Sequence, residues 1–579
     1  MDIPMVKPER PCWAVYEHPV INEKGRQLRP GVYWHSFKET AADVREATGD
    51  RGDRRISDEW IATPITVIAR TINSDNGSAG RLLRLLTESG PKEWIIAMEV
   101  FGGSGEEARR ALFAMGAIIA LKKRGAFMQY LLDQHPSKVI ATTSRLGWHE
   151  SGAFVLPDRT IGNSNVRYQA GQNAQLPFSS HGELVIWQHD VAAKCAGNPV
   201  LTLAVSIALA GPLLSLLSIL GGGVHLVGGS SSGKTLAQLI GASIWGNPKA
   251  FTVNWNVTPG GLEIAASDRN DTFLPLDEIS QADAYQIQEM VYSLANGHGK
   301  STMTRERAGR ARLSWRLLTL SSGEKSLSEH AAISGSSTNA GAELRLVDVN
   351  AGARKYRAFD ELHGLEGAEF HRCLTVSVES HYGHLGPAFI EMLYGLDRFE
   401  LLKEFADLRA SFITDNAQAG RVADRFAVIA FAGEKAISFG LLPWPTGSAL
   451  ADCHQLYGEW LCEAGKSDAE NRKVLNGIQD FIDRHGSSRF SALEDKNPDN
   501  RVINRAGYWQ QVGDNRHYLF YKSALIEAAG QHNLPRIIEA LEGAKALALR
   551  DNGRNTKNYR VAGGEQVRLY VVNPSALYP

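Results

Sequence analysis

The chain has 579 residues, and its 62 basic and 63 acidic residues leave a formal net charge of −1. A hydrophobic fraction of 43% excludes an intrinsically disordered chain and suffices for three or four folded domains of roughly 150 residues each. The five cysteines are scattered and form no C-x-x-C pair, so neither a disulfide framework nor a zinc site is indicated. A reducing cytoplasm is the compartment that fits.

Residues 1–180 predict an N-terminal α+β accessory domain. Short strand-like runs such as Trp13–Tyr16 and Gly31–Trp34 alternate with turn residues. Helical spacing of apolar residues predicts helices over Glu106–Leu121 and Ala126–Gln134, and a hairpin follows at residues 145–156. This region holds no tight cluster of catalytic residue types, so we expect a scaffold or regulatory role. The charged N-terminus is followed by no apolar signal segment, which also favours the cytoplasm.

One apolar run, Val200–Leu220, carries no charge and is long enough to cross a bilayer. Gly211-Pro212 interrupts it, and it continues almost directly into the next predicted strand. We therefore expect no membrane association, but a buried pair of helices beneath a sheet.

The sequence that follows matches G-x-x-x-x-G-K-[ST] and lies between a short apolar strand and an amphipathic helix. Backbone N–H groups of such a loop, aided by the helix dipole, bind the phosphates of a nucleotide. Within it, Lys234 is expected to reach the β- and γ-phosphates of ATP, and the Thr235 hydroxyl to hold Mg²⁺. The predicted nucleotide-binding residues are Gly228, Gly229, Ser230, Ser231, Ser232, Gly233, Lys234 and Thr235.

A second apolar run, residues 272–276, ends in Asp277 and Glu278. In phosphate-loop ATPases an aspartate at this place holds Mg²⁺, and the next glutamate orients the water that attacks the γ-phosphate. Pro275 departs from the pattern, because proline is uncommon in a central strand. The alternative is an ordinary Asp-Glu helix start.

Three further side chains are candidates for sensing the nucleotide. In ATPases of the AAA+ class, one strand lies between the two catalytic strands, which are the strand before the phosphate loop and the strand that ends in the acidic pair. This middle strand ends in a polar residue that contacts the γ-phosphate. Here Trp315–Leu320 is followed by Ser321 and Ser322, and either serine could be that residue. Arg345, in a strand-like run, is a candidate to act on the γ-phosphate of a neighbouring subunit, or it makes an ordinary salt bridge. The last candidate is an arginine in a later helix, for which the choice lies between Arg421 and Arg425.

A basic segment, residues 297–316, lies between the two catalytic strands. From Lys300 to Arg316 it contains six basic residues against one glutamate, and its glycines suggest a β-hairpin. Such a charge density in a neutral protein predicts contacts with the DNA backbone, with a solvated basic surface as the alternative. The predicted DNA-binding residues are Lys300, Arg305, Arg307, Arg310 and Arg312.

The alternation of strands and helices predicts an α/β fold in which residues 181–385 form an AAA+ phosphate-loop ATPase core. Residues 386–445 predict a helical lid, which ends at the turn Pro443–Gly447. Residues 446–579 predict a winged-helix-like domain, because two helices precede a basic hairpin that runs from Arg554 to Arg568.

Several of these stretches together resemble the ATPase family known as domain of unknown function 927, over about residues 10–445. The stretches that carry the resemblance are Gly147–His149, Val224–Gly246, Gly260–Glu263, Leu276–Glu278, Asn296–Lys300, Leu320–Glu324 and Ala340–Arg345. Members resemble AAA+ helicases of the minichromosome-maintenance type and occur in phages, plasmids and other mobile elements, sometimes beside primases. The resemblance implies a hexamer with ATP sites between subunits and a basic hairpin that points into a central channel.

The function expected from these features is that of an ATP-dependent DNA helicase or translocase in the replication of a mobile element or phage. Single-stranded or forked DNA is the expected substrate, and a primase or an initiator is a possible partner; the first 180 residues show no primase carboxylate cluster. Two alternatives remain: an ATP-switched DNA-binding or remodelling factor that does not unwind, and the ATPase subunit of a defence system. The basic segment favours the first two functions over the third.

Overall fold

A computed structural model describes residues 3–38, 55–87, 90–162, 165–169, 176–230, 232–300, 312–333, 340–412, 417–494, 502, 504–513, 515–530, 532–561 and 564–577. The chain divides into two compact units, residues 1–175 and residues 176–579. The domain boundaries predicted at residues 385 and 445 both lie inside the second unit.

The first unit consists mainly of antiparallel strands. Its elements are β1 (Met5–Val6), β2 (Cys12–Tyr16), β3 (Val20–Asn22), β4 (Gln27–Leu28), β5 (Gly31–Lys38), β6 (Arg55–Ala62), β7 (Ile65–Asn73), β8 (Ala79–Thr87), β9 (Gly90–Ala97), α1 (Glu106–Ala114), α2 (Arg124–Asp133), β10 (Val139–Thr143), β11 (Gly147–Trp148), β12 (Phe154–Val155), β13 (Thr160–Ile161) and β14 (Val166–Tyr168). The largest sheet has the order β14-β10-β7-β8-β9, and three small sheets have the orders β1-β3-β4, β2-β5-β6 and β11-β12-β13. Apolar residues of α1 and α2 pack with those of β6, β7 and β8 into one core.

Two predictions for this unit have different outcomes. The hairpin is confirmed, because β11 and β12 pair antiparallel. The helix predicted over Glu106–Leu121 ends at Ala114, so its second half is wrong. Gly116 has φ +96°, which ends the helix, and Ile119 then forms a bridge to Ala62 at the end of β6.

The second unit begins with helices, and its described residues form two sheets. Its elements are α3 (Leu184–Trp187), a π-helical turn (Gln188–Ala192), α4 (Ala193–Cys195), α5 (Pro199–Leu217), β15 (Gly222–Val227), α6 (Lys234–Ser243), α7 (Pro248–Phe251), β16 (Val253–Asn254), α8 (Pro259–Ser267), β17 (Phe273–Asp277), α9 (Ile287–Asn296), β18 (Leu318–Gly323), α10 (Leu327–Ala332), α11 (Ala340–Glu343), β19 (Leu346–Asn350), α12 (Gly367–Ser380), α13 (Leu385–Tyr394), α14 (Arg398–Arg409), α15 (Ala417–Ser438), α16 (Ser448–His485), β20 (Phe490–Ala492), β21 (Gly507–Val512), β22 (Asn515–Phe520), α17 (Lys522–Ala528), α18 (Leu534–Gly543), β23 (Leu547–Leu549), β24 (Lys557–Arg560) and β25 (Gln566–Val572).

The first sheet of this unit is parallel and has the order β16-β17-β18-β15-β19. Alternate residues of β17 face opposite sides: a Cβ on Gly241 of α6 would lie 3.1 Å from the Phe273 ring, whereas Leu274 packs with the apolar residues of α8 and α9. Helices therefore cover both faces of the sheet. The register explains Pro275, because β16 pairs with β17 only from Leu276 onward and leaves the proline without a partner strand on that side.

The apolar run Val200–Leu220 forms one helix, α5, as far as Leu217, so the predicted pair of helices is wrong. Proline removes the N–H that would bond the carbonyl of Ala208 one turn earlier, but the Trp245 indole N–H donates to that carbonyl at 2.8 Å instead. Gly211 lets the helix backbone lie against Thr272, since a Cβ there would be 1.9 Å from the Thr272 carbonyl oxygen.

By length and composition alone, α5 could span a membrane, since its mean hydropathy is 2.3. It is the one helix of this kind among the described residues. However, 89% of that window is buried inside the protein. The burial agrees with the expectation that this run is a core helix of the second unit.

The end of the chain forms a second sheet of order β20-β21-β22-β25-β23, with β24 paired to β25. α17 and α18 lie between β22 and β23 in sequence and pack on this sheet. The predicted basic hairpin is confirmed in its pairing, because Lys557 to Arg560 lies antiparallel to Gln566 to Leu569. α16, with 38 residues, leads into this region.

Candidate functional site

The predicted phosphate loop lies between β15 and α6, whose first residue is Lys234. Gly233 has φ +100°, and a Cβ at this position would lie 2.8 Å from the Phe359 ring, so the site requires glycine. At the start of the loop, the Gly228 N–H donates to the Gly323 carbonyl of β18 at 3.2 Å. The loop is thus fixed at both ends, and its backbone N–H groups lie at the N-terminus of a helix.

The Lys234 ammonium group lies within the loop. Its Nζ donates to three oxygens: Gly228 O at 2.7 Å, Gly229 O at 2.9 Å and Ser232 Oγ at 3.1 Å. Burial lowers the pKa of Lys234, and three nearby carboxylates oppose that effect, those of Glu278, Glu324 and Asp277. Lys234 therefore bonds to the loop and lies close enough to three carboxylates for their charges to affect its pKa.

The hydroxyl groups of the loop differ in exposure. Ser230 and Thr235 are exposed, whereas Ser232 is buried and its carbonyl accepts the N–H of Ala358 at 2.9 Å. Ser231 lies outside the described residues. An exposed hydroxyl on the first turn of α6, next to Lys234, is the arrangement expected of a Mg²⁺ ligand.

Asp277, Glu278 and Ser322 meet at the carboxyl ends of β17 and β18. The Ser322 hydroxyl donates to Asp277 Oδ1 at 2.7 Å and accepts the Glu278 N–H at 3.3 Å. Glu278 has φ +58°, which is uncommon outside glycine, and its Oε1 accepts the Ser280 hydroxyl at 2.5 Å and the Ser280 N–H at 3.2 Å. Backbone strain of this kind is concentrated at functional sites, where the surrounding contacts hold it.

Ser321 has a different environment from Ser322. It is fully buried, its hydroxyl lies 2.8 Å from His225 Nδ1, and it accepts the Trp255 indole N–H at 2.9 Å. Burial lowers the pKa of His225 to about 4, so this ring is neutral, and its Nε2–H donates to the Lys325 carbonyl at 2.9 Å. Ser321 thus bonds to the buried side chains of His225 and Trp255, whereas Ser322 contacts Asp277 and Glu278.

The strand that carries these serines differs from its prediction. It was expected over Trp315–Leu320 with the serines after it, but β18 begins at Leu318 and includes both of them. β18 lies between β15 and β17, the position expected for the strand between the two catalytic strands.

Two features of the site were missed by sequence reasoning. Glu324 is exposed, follows β18 and lies close enough to act on the pKa of Lys234; its position just after the strand was the available signal. The second feature is the segment after β19, residues 351–365, which packs against the phosphate loop: a Cβ on Gly228 would lie 3.1 Å from the backbone nitrogen of Gly352. It carries no recognised motif.

Arg345 precedes β19, so the prediction that it lies within a strand is wrong. Its guanidinium donates to the Gly341 carbonyl at 2.8 Å and lies 4.4 Å from the centroid of the Tyr292 ring. It lines a small surface groove together with Gly222 and Gly223, at the start of β15. This is the opposite end of the sheet from the phosphate loop of the same chain.

Arg421 and Arg425 both lie on α15 but differ in burial. Arg425 is buried and donates to the carbonyls of Gly223 at 3.3 Å and Leu344 at 3.0 Å. Burial and, to a smaller extent, the nearby charge of Arg345 lower the pKa of Arg425 to about 10. Arg421, one turn earlier, is exposed. Arg425 therefore has a structural role at the start of β15, which leaves Arg421 as the accessible arginine of the pair.

The basic segment is described at its two ends. The Gly299 N–H donates to the Leu313 carbonyl at 3.0 Å, and the Trp315 N–H donates to the Gly297 carbonyl at 2.8 Å, so the two ends run antiparallel. Arg305, Arg307 and Arg310 lie outside the described residues.

The described cations of this segment have partners. Lys300 Nζ lies 2.5 Å from Glu289 Oε1, and this hydrogen bond raises the pKa of Lys300. The Arg312 Nε donates to the Gly299 carbonyl at 2.5 Å, and its Nη2 lies 2.8 Å from His298 Nδ1. Glu289 of α9 thus compensates the charge of Lys300, and Glu289 lies outside the segment over which the charges were counted.

The sequence matches the family described as Domain of unknown function (DUF927) over residues 29–313. No curated protein matches the chain. The match begins in the first unit and extends through the phosphate loop and the Asp277-Glu278 pair to the basic segment.

Among solved structures, one described as "SCCmec type IV Cch - active helicase" has a TM-score of 0.61 at 16% sequence identity, and the alignment covers 98% of this chain and 99% of that chain. The two chains therefore share their fold over nearly their whole lengths. NtrX from Brucella abortus in complex with ATP aligns over 38% of this chain and 47% of its own, at 14% identity and a TM-score of 0.17, which is too low to support any conclusion.

Proposed function

We propose that this chain is an ATP-dependent DNA helicase or translocase of the AAA+ class. The observation that carries the proposal is the convergence of Lys234, Asp277, Glu278 and Ser322 at one edge of a parallel sheet, next to a glycine loop that opens a helix. The fold shared with a helicase over nearly the whole length of both chains supports the DNA-directed part. The resemblance to the minichromosome-maintenance type and to enzymes of mobile elements is part of the same proposal.

The residues at this edge fit a nucleotide and Mg²⁺. The loop offers backbone N–H groups and the Lys234 ammonium for the β- and γ-phosphates, and Thr235 and Asp277 offer oxygen ligands for the metal. The ion supplies neutralisation of the charge that develops on the phosphates. Glu278 orients the attacking water and accepts its proton, while Ser322 holds the Asp277 carboxylate and the Glu278 backbone in place.

The hydrolysis reaction is tested with two variants of this site. Lys234→Ala removes the charge that meets the phosphates and is expected to weaken both ATP binding and turnover. Glu278→Gln is expected to bind ATP as the parent does and to hydrolyse it far more slowly, because only the positioning of water and the proton acceptor are lost. Hydrolysis by Glu278→Gln at the parental rate would show that Glu278 has another role.

The ATP sites are proposed to lie between subunits of a hexamer. Arg345 lies at the start of β15, and a strand of six residues spans about 20 Å, which is too far for its guanidinium to reach the phosphate loop of the same chain. In a ring, Arg345 would instead face the γ-phosphate held by a neighbour, while Arg421 is proposed as an arginine sensor in the lid.

Mixing two inactive variants tests this arrangement. Arg345→Ala should bind ATP but not hydrolyse it, and Lys234→Ala should do neither. Rings that contain both chains would include interfaces with an intact loop on one side and an intact arginine on the other, so some hydrolysis should return. Mixed rings that remain inactive, once co-assembly is shown by size, would contradict a shared site.

We further propose that the basic segment forms a hairpin in the channel of the ring, where it contacts the phosphates of single-stranded or forked DNA. Residues 1–180 then act as an accessory domain, residues 386–445 as a helical lid and residues 446–579 as a winged-helix-like domain. Replication of a mobile element or phage in the cytoplasm, together with a primase or initiator, is the setting that this activity fits.

A second candidate is an ATP-switched DNA-binding factor that does not unwind. The observation that favours it is the ion pair between Lys300 and Glu289, which leaves one cation fewer for a hairpin that would grip DNA during translocation. The two functions differ in one assay: both predict ATP hydrolysis stimulated by DNA, but only the first predicts strand separation of a forked duplex.

A further inference from the structure

The loop between β19 and α12, residues 351–365, lies beside the phosphate loop. β19 runs parallel to β15, and its last residue, Asn350, pairs with Val227, the residue before the phosphate loop. The chain therefore leaves β19 at the same edge of the sheet. Further along, the Ala358 N–H donates to the Ser232 carbonyl at 2.9 Å, so the two loops are joined by a hydrogen bond.

The order of the strands indicates which part of a nucleotide would meet this loop. β18 and β17, which bring Ser322, Asp277 and Glu278 to the site, lie on one side of β15, and β19 lies on the other. A triphosphate whose terminal phosphate faces the carboxylates must leave the phosphate loop with its nucleoside directed away from them. The nucleoside would therefore lie on the β19 side, against residues 351–365.

This loop presents an exposed aromatic ring that is flanked in sequence by two cations. Tyr356 is 42% exposed, and Lys355 Nζ lies 4.9 Å from the centroid of its ring. The next residue, Arg357, is exposed and has φ +68°, a conformation that a non-glycine residue rarely adopts and that is found at ligand-binding loops. The Tyr356 ring is not part of the core, so it is accessible to a ligand.

The backbone that carries Tyr356 is firmly held. The Arg354 N–H donates to the Arg357 carbonyl at 2.9 Å, and the Tyr356 N–H donates to the Phe359 carbonyl at 2.7 Å, which together close a tight turn. Phe359 is buried and packs against Phe370 of α12, with ring centroids 5.2 Å apart. The buried ring thus anchors the turn, while Tyr356 remains at the surface.

Two further contacts fix the loop from outside. The Arg354 guanidinium binds both carboxylate oxygens of Glu459 on α16. The Asn198 side chain accepts the N–H groups of Asp360 at 2.8 Å and Glu361 at 3.0 Å. The loop is thus held by Ser232, Glu459 and Asn198. Because the loop is already ordered, a ligand that stacks on its ring would cause little further loss of conformational entropy.

We propose that Tyr356 is the stacking surface for the base of the bound nucleotide, with Lys355 and Arg357 beside the ribose and the α-phosphate. This inference rests on the proposed ATP site, since it places the nucleoside half of the same ligand. Stacking recognises the aromatic face of a base and not its edge, so the subsite would accept a purine without selecting adenine over guanine.

The test compares a ligand that has a base with one that lacks it. Tyr356→Ala should weaken the binding of ATP roughly five- to a hundredfold, the range produced by loss of a base–aromatic stack, and leave the binding of inorganic tripolyphosphate unchanged. Tyr356→Phe keeps the ring and should restore ATP affinity. GTP should lose as much affinity as ATP in Tyr356→Ala. Binding is measured by calorimetry on the full chain, with Mg²⁺ present.

The matched control is Tyr394→Ala, which removes a tyrosine of similar exposure, 47%, at the end of α13 and should alter neither ligand. Equal ATP affinity of Tyr356→Ala and the parent would overturn the inference, as would a parallel loss of ATP and tripolyphosphate. Failure of the ATP site itself has a different signature: the parent would bind neither ligand, and Lys234→Ala would change nothing.

Discussion

Ser322→Ala is the substitution whose effect follows most directly from the geometry of the site. The hydroxyl donates to Asp277 Oδ1 at 2.7 Å and accepts the Glu278 N–H at 3.3 Å. A hydrogen bond to a charged group contributes about 1.5–3 kcal/mol. If this contribution is lost in the transition state, kcat for ATP hydrolysis falls roughly 10- to 150-fold, since about 1.4 kcal/mol corresponds to a factor of ten.

The affinity for ATP should change much less than kcat, because Ser322 lies outside the phosphate loop and acts by orienting the carboxylates. Steady-state hydrolysis gives kcat, and titration with a fluorescent ATP analogue gives Kd. Ser322→Thr keeps the hydroxyl, suits a strand position and should retain most of the activity.

The neighbouring serine provides the matched control. Ser321 bonds to His225 and Trp255 and touches neither carboxylate, so Ser321→Ala should lower the melting temperature while the folded protein keeps a kcat close to that of the parent. The reasoning would be refuted if Ser321→Ala abolished hydrolysis and Ser322→Ala left it intact, or if Ser322→Ala changed Kd and not kcat.

Further predictions concern stability and DNA. Burial raises the pKa of Asp348 to about 8, so the native state keeps a proton that the unfolded chain releases near pH 4, and stability falls as pH rises between these values. The Asn side chain of Asp348→Asn cannot titrate, so the free energy of unfolding of this variant relative to the parent should rise by about 3 kcal/mol from pH 5 to pH 7, as measured by urea unfolding. The same difference between variant and parent at both pH values would contradict this. Trp245→Phe leaves a carbonyl of α5 unpaired and should cost about 1–3 kcal/mol of unfolding free energy in the same assay, whereas no loss would show that α5 does not need that bond. Neutralising Arg305 and Arg307 should each reduce the slope of log DNA affinity against log salt concentration by about one unit, on duplexes of unrelated sequence. Lys300→Gln should reduce this slope less, because Lys300 is already ion-paired with Glu289. An unchanged slope in the double variant of Arg305 and Arg307 would argue against a channel hairpin.

The phosphate loop and the Asp277-Glu278 strand end were predictable because their signals are local. A glycine loop between a strand and a helix, and an apolar run that ends in two carboxylates, are short patterns whose meaning does not depend on distant residues. The choice between Ser321 and Ser322 was different in kind. It depended on which serine faces the carboxylates, and a change of one residue in register moves a side chain to the other face of the sheet.

Features that depend on contacts distant in sequence could not be predicted. α5 is continuous through Pro212 because Trp245 supplies the missing hydrogen-bond donor, and no pattern within the run Val200–Leu220 reports this. The ion pair of Lys300, a predicted DNA contact, was not foreseeable, because its partner Glu289 belongs to a helix outside the basic segment. The loop that carries Tyr356 has no motif and gains its meaning only from its position beside the phosphate loop.

The unwinding of a forked DNA duplex is the measurement that tests the proposed function most directly. We expect the parent protein to separate the strands only when ATP is hydrolysed, with DNA stimulating hydrolysis. Glu278→Gln should bind both ATP and the fork without separating the strands. Hydrolysis that DNA stimulates while the duplex stays intact, or unwinding by Glu278→Gln at the parental rate, would contradict the assignment of this chain as an ATP-driven helicase.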